Sequence, residues 1–200
     1  MSRLVETIRT EEGKLLNISF HNERMIRSLY DVFGLKTKIY LEKLITVPET
    51  AKKEIFKCRV EYDHEIRKVE FLPYKIKVIR SLKLVEDNTI EYAYKFTDRK
   101  RIEELTATRG EGDDILIIKN GMVTDTSYAN VVFKDFNGNW VTPSTYLLPG
   151  TRRTNLLKQK LIIEASIAYK DINKYSEVRL INAMLGLYDT EGIPVRNIMF

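Results

Sequence analysis

Two ionisable side chains near the middle of the chain have types and settings that suit chemistry. Lys95 has aromatic neighbours at Tyr92, Tyr94 and Phe96, and Asp125 is a lone acid that follows a predicted β-hairpin turn. Burial among aromatic rings disfavours an ammonium ion, so Lys95 is a candidate for an amine that loses its proton near neutral pH and attacks a carbonyl. The same amine could carry a proton to or from a bound molecule. The alternatives are a lysine exposed on an edge strand and an ordinary strand acid.

The hydrophobic pattern of the first ninety residues predicts a sheet with helices on one side. The helix over His21–Phe33 has apolar residues with the helical period, and Gly34 follows where a C-cap belongs. Pro48 is expected to begin a short helix over Glu49–Phe56. The predicted strands are Val5–Arg9, Leu15–Phe20, Lys57–Tyr62, Ile66–Leu72 and Lys75–Val85.

The remaining residues have a different pattern of predicted turns, strands and helices, which indicates a second domain. Asn120-Gly121 and Asn137-Gly138 indicate two hairpin turns. The predicted helices are Asp98–Thr108, with Asp98 as N-cap, and Thr151–Ala168. The predicted strands are Ile115–Ile118, Met122–Lys134, Trp140–Thr142 and Glu177–Ile181. We therefore expect two domains of mixed α and β structure, covering residues 1–90 and 91–200.

Composition and charge narrow the classes of function. The chain has 200 residues, of which 44% are hydrophobic and 30% charged, as in soluble globular proteins. No apolar run approaches the roughly 20 residues of a membrane span, and Met1–Thr7 lacks the apolar core of a signal peptide. We expect a cytoplasmic protein without a membrane partner. The net charge of +5 indicates attraction to anions, but acids are scattered among the basic residues, which favours an anionic small molecule over nucleic acid.

Other chemical motifs are weak or absent. Cys58 is the single cysteine and is expected to be a buried structural thiol. His21 and His64 are the only histidines, and neither has a partner at metal-ligand spacing, so we expect no metal site. The sequence contains no nucleophile elbow, P-loop or dinucleotide-binding glycine motif.

Four segments, taken together in order and spacing, resemble the class IV (fold type IV) pyridoxal phosphate aminotransferases and 4-amino-4-deoxychorismate lyases. They are His21–Met25, Tyr94–Arg99, Thr124–Val131 and Leu148–Arg153. Asn182–Met184 fits the segment that closes the family's phosphate site. Each motif is short, so the evidence lies in their order across nearly the whole chain. The resemblance implies pyridoxal 5′-phosphate as cofactor, bound where a small N-terminal α+β domain meets a larger α/β pseudo-barrel domain, and a homodimer.

The resemblance also assigns roles to individual residues. Lys95 matches the lysine that the family joins to the cofactor aldehyde. Asp125 stands where the family usually has a glutamate paired with the pyridine nitrogen, a contact that keeps the ring protonated and electron-withdrawing. Arg24 matches the arginine of a His-x-x-Arg motif that reaches the phosphate, where a planar, permanently charged donor is suited to a dianion. A solvated helix arginine is the alternative for Arg24.

Further residues follow at the remaining motifs. Gly150-Thr151-Arg152 resembles the family's Gly-Ile-Thr turn, where backbone N–H groups at a helix start hold the phosphate, although Arg152 replaces the threonine. Asn182 and Ala183 are expected to complete that phosphate site. Leu148 resembles the residue that packs on the pyridine ring, or it belongs to the core.

Substrate contacts are expected just after Asp125, at Ser127 and Tyr128. Strand alternation would put Ser127 on the face of Asp125 and Tyr128 on the other, and the sequence leaves open which one meets the substrate. Two departures from the family are a shorter N-terminus and Asp98 in place of an asparagine.

The resemblance implies two reactions that the sequence barely separates. One is amino transfer on an amino acid, and the other is pyruvate release from 4-amino-4-deoxychorismate. The alternative is a catalytically inactive homologue that serves as a binding or scaffold protein on the same fold.

Overall fold

The computed structural model describes residues 3–200, which divide into two compact units. Unit 1 is the chain up to Ile76 together with Tyr94–Asp98, and unit 2 comprises Lys77–Ala93 and Arg99–Phe200. The extents differ from the sequence division at residue 90, because the stretch after Ile76 packs with unit 2 and the residues around Lys95 return to unit 1. The predicted mixed α and β class is confirmed. No helix within residues 3–200 has the length and apolar character to cross a membrane.

Unit 1 is a four-stranded antiparallel sheet with two helices. Its strands are β1 (Leu4–Glu11), β2 (Lys14–Leu15), β3 (Phe56–Tyr62) and β4 (Ile66–Pro73), and its helices are α1 (Ile18–Phe33) and α2 (Leu41–Leu44). The spatial order of the strands is β2-β1-β3-β4. The core lies between the sheet and α1, where Leu4 and Ile8 from β1 meet Met25 and Leu29 from the helix. The predicted helix end is confirmed, since Gly34 adopts φ 70° and its N–H bonds back to Tyr30.

Three predicted elements of the first ninety residues are wrong in extent. The strand over Leu15–Phe20 is cut short because Asn17, at φ 53°, turns the chain into α1. The helix over Glu49–Phe56 is a single 3₁₀ turn, Glu49–Ala51. The strand over Lys75–Val85 is confined to Leu82–Glu86, which pairs in parallel with a strand of unit 2 rather than with β4.

Unit 2 contains a second sheet, of nine strands within the described residues. The strands and helices of unit 2 are, in chain order, β5 (Leu82–Glu86), α3 (Lys100–Ala107), β6 (Asp114–Lys119), β7 (Met122–Thr126), β8 (Asn130–Asp135), β9 (Trp140–Pro143), α4 (Thr151–Lys158), β10 (Ile163–Ala165), β11 (Tyr175–Ile181), β12 (Ile193–Pro194) and β13 (Ile198–Met199). The main path is β10-β9-β8-β7-β6-β5-β13, and β11 pairs with β8 and β12. Short 3₁₀ turns cover Tyr169–Lys174 and Val195–Asn197. The Asn120-Gly121 turn is confirmed, with φ 52° and 75°. The N-cap of α3 is Arg99 rather than Asp98.

The predicted strand over Met122–Lys134 is two strands joined by a tight turn. The Thr126 N–H donates to Ala129 O at 2.9 Å, and the Ala129 N–H donates to Thr126 Oγ1 at 3.1 Å. The reversal makes Asp125 and Asn130 direct cross-strand partners. No glycine or proline marks this turn, because a threonine hydroxyl closes it instead.

The predicted helix over Thr151–Ala168 is also wrong, since α4 ends at Lys158. Lys160 adopts φ 57°, its N–H donates to Leu157 O, and the Leu161 N–H donates to Leu156 O, both at 3.0 Å. This pair of bonds is a Schellman cap, which usually has glycine at the left-handed position. A lysine at this position is not a recognisable stop signal, and the chain continues from the cap into β10.

Candidate active site

Asp125 on β7 is a buried acid of unit 2, with 6% of its surface exposed. Asn130 Nδ2 donates to its Oδ1 at 2.8 Å, and the N–H groups of Leu147 and Leu148 each donate to its Oδ2 at 3.0 Å. Burial raises the pKa of Asp125 to about 6, although these hydrogen bonds and the charge of Arg153 act in the opposite direction. Because a carboxylate offers roughly four lone-pair positions, Oδ1 can accept one more hydrogen bond.

Asn130 links Asp125 to the start of α4. Its Nδ2 also donates to Leu148 O at 2.9 Å. A Cβ added to Gly150 would lie 2.0 Å from Asn130 Oδ1, so the helix start can approach Asn130 only because residue 150 is glycine. The structure thus brings together Asp125, Leu148 and Gly150, three of the candidate site residues. Asn130 was missed, although a polar residue before the apolar run Val131–Phe133 was a usable signal.

The start of α4 favours an anion. The first intrahelical bond runs from the Thr154 N–H to Gly150 O at 2.9 Å, so the amides between these residues lie outside the helical ladder. Arg152 and Arg153 lie in the first turn, which contains no acid. The Arg152 charge adds to the positive end of the helix dipole, whereas the Arg153 charge is paired with Glu164. Thr151 is buried and Arg152 is half-buried.

Two side chains bind backbone carbonyl oxygens of the turn that follows Asp125. Arg99 Nη2 donates to Ser127 O at 2.6 Å, and Asn182 Nδ2 approaches Tyr128 O at 3.4 Å. Because Ser127 and Tyr128 lie in a turn rather than a strand, the prediction that they point to opposite faces of a strand is wrong. Both are half-buried.

Asn182 also organises the segment that follows β11. Its N–H donates to Leu185 O at 3.0 Å, and its Oδ1 accepts from the Met184 N–H at 2.8 Å. Ala183 therefore lies inside a closed turn, half-buried, next to the side chain that reaches Tyr128. The predicted pair Asn182-Ala183 is thus tied to the substrate-site candidates of the same unit.

Unit 1 holds a second buried carboxylate, Glu6 on β1. Arg24 binds it through Nε to Oε1 at 2.9 Å and Nη2 to Oε2 at 2.6 Å, and His21 Nδ1 lies 2.5 Å from Oε2. Burial alone raises the pKa of Glu6, but the Arg24 charge and the bonds from His21 and Arg24 lower it to about 2. Burial lowers the pKa of His21, so its Nδ1 acts as a neutral donor to the ionised acid.

The predicted phosphate ligand Arg24 is therefore not a solvated helix arginine. It is 7% exposed, and Glu6 engages two of its N–H groups. Glu6 and His21 were missed by sequence analysis. The signals were an acid on the apolar face of β1, beside Leu4 and Ile8, and a histidine three residues before Arg24.

Lys95 is the half-buried centre of a three-residue turn in unit 1. The Phe96 N–H donates to Tyr94 O at 2.9 Å, and Lys95 O accepts from the Val5 N–H at 2.9 Å, one residue before Glu6. Tyr94 and Phe96 pack on the unit 1 core. The aromatic neighbours thus anchor the backbone on either side of Lys95, whose charge is close enough to contribute to the lowered pKa of His21.

Comparison with known proteins assigns the family. The sequence model described as amino-transferase class IV matches residues 73–197. This chain belongs to the class IV aminotransferase family.

Within residues 3–200, no group of three or more histidine, cysteine, aspartate or glutamate side chains could hold a metal ion.

Individual relatives agree with this assignment. A Haemophilus influenzae protein described as uncharacterized is 40% identical over 189 residues, covering 94% of this chain and all of that protein. The crystal structure of a Haemophilus somnus protein, provisionally named a 4-amino-4-deoxychorismate lyase, is 40% identical with a TM-score of 0.86, covering 94% of this chain and 98% of that one. The pyridoxal-phosphate-bound form of a hypothetical aminotransferase from Mycobacterium tuberculosis shares the fold at 16% identity and a TM-score of 0.76, covering 98% of this chain and 81% of that one.

Proposed function

We propose that this protein is a pyridoxal-phosphate-dependent enzyme that releases pyruvate and 4-aminobenzoate from 4-amino-4-deoxychorismate. The observation that carries the proposal is the buried Asp125 carboxylate, whose Oδ1 keeps one acceptor position beside the anion-favouring start of α4. The Haemophilus somnus relative supports the lyase reaction. The family match favours a second candidate, amino transfer on an amino acid.

The residues present fit the cofactor. Asp125 would accept a hydrogen bond from the pyridine nitrogen, and Leu148 would pack on one face of the ring. Because aspartate is one methylene shorter than the family's usual glutamate, its three hydrogen bonds compensate by fixing the carboxylate in place. Phosphate ligands would come from Arg24, Gly150, Thr151, Arg152, Asn182 and Ala183. Bound cofactor would supply an electron sink for a carbanion at the substrate α-carbon.

Each side chain then has a defined task. Asp125 holds a proton on the pyridine nitrogen, a task that its ionised form performs above its pKa of about 6. Lys95 Nζ anchors the cofactor and moves a proton at the substrate α-carbon. Glu6 fixes the orientation of Arg24, the proposed phosphate ligand. Ser127 and Tyr128 contact the substrate.

Two properties of the whole assembly complete the proposal. We infer that the active protein is a cytoplasmic homodimer, as the family resemblance implies, and that its partner molecules are small amino acids or chorismate derivatives. The net charge of +5 suits such carboxylate-bearing substrates.

The absorbance of purified protein mixed with pyridoxal phosphate tests cofactor binding. We expect a yellow band that persists after dialysis and disappears in Lys95→Ala. Lys100→Ala removes an exposed lysine nearby in the sequence and should keep the band. Parent protein that stays colourless after soaking would refute the proposal.

Catalysis is tested separately from binding. Asp125→Ala should keep the colour but lose most turnover, because the ring would lose the acid that keeps it protonated. Release of 4-aminobenzoate measures the lyase reaction, and a screen of amino donors with a keto acid measures transfer. An alanine variant that turns over like the parent would contradict the assigned role of Asp125. Coloured parent protein with neither reaction would support the inactive binding or scaffold homologue.

A further inference from the structure

Arg153, in the first turn of α4, is a buried cation to which the proposed reaction gives no task. Its side chain is 4% exposed. Nη2 donates to Pro143 O at 2.9 Å and pairs with Glu164, and the guanidinium lies 4.1 Å from the centre of the Tyr146 ring. The three partners belong to β9, to the loop after it and to β10, so one planar group joins three segments of unit 2.

The loop that Arg153 holds is the loop that binds Asp125. Tyr146, stacked on the guanidinium, directly precedes Leu147 and Leu148, whose N–H groups donate to Asp125 Oδ2. A second anchor is Thr145, whose hydroxyl donates to Val123 O at 2.7 Å. Residues 145 and 146 are therefore fixed immediately before the two amides that orient the acid.

The position of Arg153 is electrostatically unfavourable by itself. A cation in the first turn of a helix opposes the helix dipole, and removing it from water adds a further penalty. Its Nε is buried without a hydrogen-bond partner, so the guanidinium does not satisfy all of its donors. An arginine at this position has a physical reason if it holds the loop over residues 144–148. Its guanidinium can stack on a ring and form fork-like hydrogen bonds, which a lysine cannot reproduce.

We propose that Arg153 is a positioning residue that clamps the 144–148 loop through Tyr146 and Pro143. The clamp keeps the Leu147 and Leu148 amides on Asp125 Oδ2, so that Oδ1 stays available to the pyridine nitrogen. The benefit of the clamp to cofactor binding rests on the proposed function. The clamp itself can be measured in protein without cofactor.

Amide hydrogen exchange at Leu147 and Leu148 in the cofactor-free protein is the primary measurement. Arg153→Met and Arg153→Lys should each accelerate exchange about tenfold, because the contact between the buried guanidinium and the Tyr146 ring contributes roughly the free energy of a tenfold change. Lys158→Met removes a positive charge from an exposed position of the same helix and should leave the exchange unchanged. Near-UV circular dichroism checks that each variant is folded.

Titration of the Asp125 carboxyl separates charge from clamping. Selective carbon-13 labelling of aspartate carboxyls, assigned with Asp125→Asn, reports the pKa in cofactor-free protein. Arg153→Met should raise this pKa, because a nearby positive charge is lost, whereas Arg153→Lys should leave it near the parent value while still loosening the loop. In that case Arg153→Lys would change the exchange rate but not the Asp125 pKa, whereas Arg153→Met would change both. An arginine with only a general structural role would not separate the two measurements in this way.

Folded Arg153 variants in which both amides exchange as slowly as in the parent would overturn the inference. If Arg153→Met does not fold, Tyr146→Leu decides, since it removes the stack and keeps the cation, with Tyr146→Phe as the control that keeps a ring. Parent protein that never binds pyridoxal phosphate refutes the proposed function, whereas unchanged exchange in the variants refutes the clamp.

Discussion

Glu6 in unit 1 and Asp125 in unit 2 are both buried carboxylates that accept three hydrogen bonds, yet their pKa values are shifted in opposite directions. Glu6 in unit 1 has a pKa lowered to about 2, and Asp125 in unit 2 has a pKa raised to about 6. Burial favours the neutral form at both sites. The difference lies in the donors, because Glu6 contacts the Arg24 cation directly, whereas the hydrogen bonds to Asp125 come from one amide side chain and two backbone N–H groups.

The charge of the donors, rather than their number, therefore decides how an enclosed carboxylate titrates. Glu6 remains ionised across the physiological range, which suits a residue that holds an arginine in place. Asp125 is balanced near neutrality, which suits a residue that shares a proton with a bound ring nitrogen.

The largest predicted effect comes from removing the cation of unit 1. Arg24→Met leaves Glu6 buried without its partner, and breaking a buried ion pair in this way costs about 3–5 kcal/mol. The Glu6 pKa should then rise, because only His21 remains to oppose the effect of burial. Urea unfolding should show that the loss is smaller at pH 5 than at pH 8, where Glu6 must stay charged.

The matched control is Arg27→Met on the exposed side of the same helix, which should change the unfolding free energy by less than about 0.5 kcal/mol. An equal loss at pH 5 and pH 8 in Arg24→Met would mean that Glu6 is not the group left uncompensated.

An intermediate effect is expected from the pH dependence of the two acids. Because the folded-state pKa of Asp125 is raised, its contribution to stability is present below its ordinary pKa of 3.8 and is lost as pH rises through about 6. Relative to the parent, Asp125→Asn should therefore gain about 3 kcal/mol of stability between pH 4 and pH 7. Glu6→Gln should show the opposite sign, with a difference from the parent that shrinks as pH falls from 4.5 towards 2.

Paired unfolding curves of each variant and the parent across this pH range provide the measurement. Slopes of the same sign for the two variants would show that the contrast between the sites is mistaken.

The smallest predicted effect tests how Asn130 supports Asp125. Gly150→Ala places a methyl group on Asn130 Oδ1 and should destabilise the protein by about 1–3 kcal/mol. In an Asn130→Ala background the same change should cost less, because the clashing atom is gone, and a double-mutant cycle of unfolding free energies measures the difference. Additive effects would indicate that the helix start does not press on Asn130.

Locally encoded features were predictable from the sequence. Helix α1 was found because its apolar period and Gly34 agree, and the Asn120-Gly121 turn because few residues tolerate its backbone angles. Two of the mistakes share one cause, which is that an unusual residue performs a common task. Lys160 caps α4 where glycine is usual, and the Thr126 hydroxyl closes a turn that has no turn residue.

The sequence indicated candidate site residues but not the groups that support them. The family motifs indicated Asp125, Gly150 and Lys95, because each is recognised within a few neighbouring residues. Glu6 and Asn130 could not be assigned in that way, since their roles depend on contacts between distant segments, such as β1 with α1.

The interrupted path of the chain through unit 1 has a consequence for biosynthesis. The sheet and helices of this unit are complete in sequence by Ile76, but Tyr94–Asp98 joins them only after Lys77–Ala93 has been made. The bond from the Val5 N–H to Lys95 O therefore closes late, at a large loop-entropy cost, while a ribosome is still adding residues. A nascent chain arrested before residue 94 should therefore pair β1 with β3 but lack the bond that Lys95 O makes beside Glu6.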